Sequence, residues 1–100
     1  MSITQQLDNK NKTLLISISG PFSFDQHGAF RDTYRDINGD NNLNITVDLQ
    51  HSNYLDSAAL GMLLLLDEHF KKQRINITNC STYIMQVFNI VNFEKKFNIS

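Results

Sequence analysis

The chain has 100 residues, room for one domain with one core and too short for two. Its hydrophobic content of 41% can build that core without staples, and nine basic against ten acidic residues leave a net charge of −1. That balance speaks against nucleic acid, which asks for a basic face, and a single cysteine, Cys80, excludes an intramolecular disulfide.

The first residues, Met1-Ser2-Ile3-Thr4-Gln5-Gln6, carry neither the basic nor the apolar region of a signal peptide. Residues 3–7 read as a short first strand and residues 8–12 as a polar turn. Leu14, Ile16 and Ile18 then alternate with Leu15, Ser17 and Ser19, the period of a strand with one apolar face. Gly20-Pro21 stops it. Ser23-Phe24-Asp25-Gln26 fits a capping box, and His27, Phe30, Tyr34 and Ile37 follow at helical spacing. Gly39 and Asp40-Asn41-Asn42 are expected to end this helix. Ile45, Val47 and Leu49 alternate again as a third strand.

A loop over residues 50–56 leads to a helix predicted over 57–72. Lys71, Lys72 and Arg74 read as its solvated end, where cations suit the dipole. Residues 74–79 form a fourth strand through Ile75 and Ile77. Ser81 is placed to cap a last helix with Ile84, Val87, Phe88 and Val91 on one face, and residues 97–99 supply a closing strand. The order β-β-α-β-α-β-α-(β) predicts a single small α/β domain over residues 1–100, with a mixed sheet of four or five strands backed by helices. The longest apolar run, residues 58–66, falls well short of the roughly 20 residues of a membrane span. A cytoplasmic protein without membrane insertion is expected.

The informative stretch is Asp48-Leu49, then Tyr54-Leu55-Asp56-Ser57-Ala58-Ala59-Leu60-Gly61. A serine opening a helix has two readings. Either Ser57, or Asp56 beside it, accepts a bond from a free backbone N–H as a cap. Or the free N–H groups and positive dipole end accommodate a negative group there, and Ser57 is modified. A phosphoryl group would add nearly two negative charges, which Asp56 would repel. Beyond Ser57 the helix is apolar nearly all round. Leu60, Leu63, Leu64 and Phe70 suit a core stripe, while Met62, Leu65 and Leu66 continue around the cylinder. Either neighbouring helices bury that second face, or it is an exposed strip for a partner.

This stretch resembles the signature of STAS domains of the anti-sigma factor antagonist type. Their strand ends in Asp-Leu, and a seven- or eight-residue approach ends in aromatic-aliphatic-Asp-Ser before a small pair and Leu-Gly. Asp25 with Ala29 resembles the Asp-x-x-x-Ala opening the family's first helix. Ala58-Ala59 depart from the family's frequent Ser-Gly, and Gln50, His51 and Ser52 are more polar than usual.

The resemblance implies a bacterial signalling switch rather than an enzyme, with no cofactor. A histidine-kinase-like serine kinase, often itself the anti-sigma factor, would phosphorylate Ser57, and a PP2C-type phosphatase would reverse it. Asp56 and Asp25 would be the acidic neighbours. Ala58, Ala59, Met62 and Leu65 are the expected partner contacts of the unphosphorylated form. The alternative is a constitutive STAS subunit of a lipid-transporting ABC complex, with Ser57 as cap or contact. His27, His51 and His69 lack metal-ligand spacing, and no Gly-x-Ser-x-Gly elbow surrounds Ser57.

Overall fold

The computed structural model describes residues 2–40 and 42–100; Met1 of the N-terminal segment and Asn41 of the expected helix-ending cluster lie outside them. Strands β1 (Ser2–Asp8), β2 (Thr13–Ser19), β3 (Asn44–His51), β4 (Ile75–Thr78) and β5 (Phe97–Ile99) form one sheet in the order β1-β2-β3-β4-β5. β1 is antiparallel to β2, while β2, β3, β4 and β5 run parallel. Helices α1 (His27–Asp32), α2 (Ser57–His69) and α3 (Thr82–Ile90) make the crossovers. The parallel strands follow one another without reversing direction, so right-handed crossovers place all three helices on one face.

The alternating strands obey that geometry. Leu14, Ile16, Ile18, Ile45, Val47, Leu49, Ile75 and Ile77 turn inward and are buried. The opposite face carries Thr46, Asp48, Asn76 and Thr78, and the Asn76 amide donates to Asn44 Oδ1 at 2.8 Å and accepts from Asn98 Nδ2 at 3.1 Å. Phe30, Leu63, Leu66, Phe70, Ile84 and Phe88 close the core from the helix side.

Three predicted boundaries move. The first helix ends at Asp32, and only a 3₁₀ turn over Phe24–Gln26 precedes it. The Thr33 hydroxyl donates to the Phe30 carbonyl at 2.6 Å, competing with the helical ladder, and Thr33 N–H bonds the same carbonyl. Gly39 therefore does not end a helix. A Cβ there would collide with the His69 carbonyl, so the glycine lets the following loop pack against the end of α2. His69 reinforces the join, its Nε2 lying 2.7 Å from the Ile37 carbonyl oxygen. The second helix ends at His69 rather than 72, because Phe70 turns away to bury its ring in the core. The third strand runs on to His51 through a register shift against β2, so the loop shortens to residues 52–56. Asp48 holds this irregularity, accepting from Gln50 N–H and Asn79 Nδ2, both at 2.9 Å.

The inward face of α2 also differs from the expected stripe. Ala59, Met62, Leu63, Leu66 and Phe70 are buried, Leu60 is half-buried, and Leu64 and Leu65 face solvent. With every residue from 62 to 66 apolar, periodicity alone does not choose a face. Docking on the sheet decides it, with Ala59 turned inward and Ala58 outward. His27 likewise leaves the predicted stripe and is exposed.

Candidate functional site around Ser57

The loops after β2 and β3 are joined by backbone bonds. Gly20 N–H donates to the His51 carbonyl (3.0 Å), Phe22 N–H to Tyr54 (3.0 Å), and Asp56 N–H back to Phe22 (3.2 Å). Phe22 and Leu55 form a parallel bridge and are both buried, which anchors the segment hydrophobically. Ser52 is buried too, its hydroxyl 3.4 Å from the Tyr54 carbonyl. The approach to Ser57 is thus held in place from below.

Asp56 completes the frame. Its extended backbone makes it the N-cap of α2, with Oδ1 accepting from Ala59 N–H at 2.9 Å. Oδ2 accepts from Phe24 N–H at 3.2 Å. One carboxylate therefore caps α2 and ties it to the 3₁₀ turn that carries Asp25. That turn is closed by its own box, in which Ser23 N–H donates to Gln26 Oε1 at 3.2 Å.

The cap question is answered by this geometry: Asp56 caps, and Ser57 does not. Ser57 is the first helical residue, exposed, and its hydroxyl has no hydrogen bond among the described residues. Asp25 is likewise exposed, on the turn that Asp56 tethers.

The expected partner contacts divide. Ala58 is half-buried and Leu65 is 58% exposed, both on the outward side. Ala59 is 0% exposed and belongs to the core, so it offers no contact surface. Met62 is 7% exposed and forms the floor of a groove of about 500 Å³, with Ala58, Gly61, Leu64 and Leu65 along one side and Phe24 on the other. Phe24 is the residue that sequence reasoning passed over. It is 59% exposed and stacks on His27, ring centroids 4.6 Å apart. The signal was available: an aromatic residue one position after a helix-capping serine lies off the inward stripe. Gly61 lines the groove as well, and a Cβ there would meet no other side chain within 4 Å.

Comparison with known proteins agrees with the fold. A family model described as Mlab, STAS domain, matches residues 5–99. The chain belongs to the STAS family. A STAS-domain-containing protein of Pseudomonas aeruginosa is 40% identical over 102 residues, covering both chains in full. Among solved structures, the STAS fold here is similar to the phosphorylated form of the Bacillus cell fate determinant SpoIIAA. The TM-score is 0.74 at 14% identity, over 99% of this chain and 91% of that one. It is also similar to an anti-sigma factor antagonist from Mycobacterium paratuberculosis, with a TM-score of 0.79 at 18% identity, over 98% and 85% of the two chains. The murine anion transporter Slc26a9 contains a similar fold, with a TM-score of 0.72 at 12% identity, over 98% of this chain and 20% of the transporter. At such identities the likeness is one of fold. In this STAS domain no described helix is long and apolar enough to cross a membrane. Among the described residues no three His, Cys, Asp or Glu side chains gather as a metal site.

Proposed function

We propose that this STAS domain is a non-enzymatic phospho-switch, bacterial and cytoplasmic, with Ser57 as its acceptor. The observation that carries the reading is the separation of tasks at the start of α2. Asp56 caps the helix and bridges the two loops, so Ser57 is left exposed with an uncommitted hydroxyl. A kinase can reach that hydroxyl without dismantling the cap. A phosphoryl group there sits at the helix N-terminus, which favours added negative charge. The fold therefore survives phosphorylation while the surface changes.

The surface that changes borders Ala58 and the apolar groove. A partner docked there desolvates the rim next to Ser57. Placing a doubly charged group in that rim beside Asp56 costs several kcal/mol unless a cation meets it. The partner is a histidine-kinase-like serine kinase or anti-sigma factor, bound when Ser57 is unmodified, and a PP2C-type phosphatase resets the switch. The likeness in fold to anti-sigma factor antagonists supports this assignment.

The test is a titration of candidate histidine-kinase-like serine kinases with wild type, Ser57→Ala, Ser57→Asp and Ser57→Glu. Wild type and Ser57→Ala should bind alike, and the acidic variants about a hundredfold more weakly, a loss of about 3 kcal/mol. Equal binding by all four folded proteins would instead make Ser57 a permanent contact, as in a subunit of a lipid-transporting ABC complex.

A further inference from the structure

The groove beginning at Ala58 does not stop at Leu65. Leu65 and Glu68 also line a second depression, of about 570 Å³, between α1 and the end of α2. Arg31, Arg35 and Lys71 surround this far half. The two depressions meet at Leu65 and Glu68 and together make a trough along α2, whose thirteen residues span about 20 Å. The end near Ser57 is apolar and the far end is basic. Among the described residues only two ion pairs form, Arg35 with Asp32 at 3.1 Å and Lys72 with Asp40 at 3.6 Å. Arg31 and Lys71 have no carboxylate partner. Three cations line the far half against one carboxylate, Glu68, and Arg35 is paired outside the lining with Asp32.

We infer that the trough receives an amphipathic helix of the partner protein, laid along α2 with its apolar face on Leu65 and Phe24. Its acidic end lies on Arg31 and Lys71. A groove that follows α2 for between three and four turns, with the 3₁₀ turn and the short α1 on its other side, fits a helix better than an extended strand, which would leave backbone groups unpaired. The charge gradient fixes polarity: an acidic end at the Ser57 side would meet Asp56 and any phosphate there. The inference rests on the phospho-switch reading only in placing Ser57 at the mouth of the trough.

The test uses labelled synthetic helical peptides of roughly 18 residues with a Leu stripe, alike except for three Glu or three Lys in the last turn. By fluorescence anisotropy the acidic-ended peptide should bind about tenfold more tightly than the basic-ended one. The double variant Arg31→Glu with Lys71→Glu should invert that preference. Equal binding of the two peptides, a preference that survives the charge swap, or no saturable binding would overturn the inference. A dimer of the protein alone, broken by Leu65→Glu in sedimentation velocity, would overturn it in favour of a second copy. Ser57→Asp separates the two readings. If the swap inverts preference while Ser57→Asp binds the kinase like wild type, the trough stands and the switch falls. If peptides are bound without regard to end charge while Ser57→Asp still abolishes kinase binding, the switch stands and this assignment falls.

Discussion

Two serines open helices in this domain, and they are used in opposite ways. Ser81 precedes α3, is half-buried, and its hydroxyl oxygen accepts from Ile84 N–H at 3.3 Å. Ser57 lies one position further along its own helix, is exposed, and leaves the capping to Asp56. The surroundings follow suit. Cys80, next to Ser81, is partly buried, and desolvation pushes its thiol up to about 11. A one-residue difference in register thus decides whether a serine is part of the scaffold or available for chemistry.

The largest effect expected from this comparison concerns Cys80. A thiol raised from 9.0 to about 11 has about a hundredfold less thiolate at pH 8 than the unfolded chain. Alkylation should be slower by that order in the native protein and rise with pH until the thiol ionises. Equal rates for native and unfolded protein would show that the start of α3 is open. Next in size, Asp56→Ala removes the α2 cap and the bond to Phe24 together. It should cost about 2 kcal/mol, lowering the melting temperature by on the order of 10 °C. Ser81→Ala removes a single capping bond and should cost about 1 kcal/mol.

Much of this frame was legible in the sequence. Period-two alternation in β2 and β3 and the Ser81 cap translate directly into structure, because each depends on residues close in sequence. The spaced pattern from Asp48 to Gly61 pointed to the STAS family, to which the chain belongs. What escaped is set by contacts between distant segments. The hydrogen bond from Phe24 N–H to Asp56 Oδ2 spans 32 residues and ties the cap of α2 to the 3₁₀ turn. Gly39 is needed because His69, thirty residues on, lies against it. The buried side of α2 was ambiguous because its middle is apolar throughout, and only docking on the sheet sends Met62 inward and Leu65 outward.

Two smaller effects sharpen the contrast. Gly61→Ala adds a methyl into open space on a helix and should stabilise the fold by ~0.8 kcal/mol. The same methyl narrows the groove, so partner affinity should fall as the melting temperature rises. Ser57→Ala should change stability by less than about 0.5 kcal/mol, since no hydrogen bond is lost. A loss near that of Ser81→Ala would mean that Ser57 shares in capping after all.

The central claim is that Ser57 alone receives phosphate. Co-expression with candidate histidine-kinase-like serine kinases, followed by intact mass and peptide mapping, tests it most directly. The account predicts a single phosphate, on Ser57, abolished in Ser57→Ala and removed by a PP2C-type phosphatase. Ser52, buried beneath the loop, should remain unmodified. A phosphate mapped to Ser52, Ser23 or Thr82, or retained in Ser57→Ala, would contradict it.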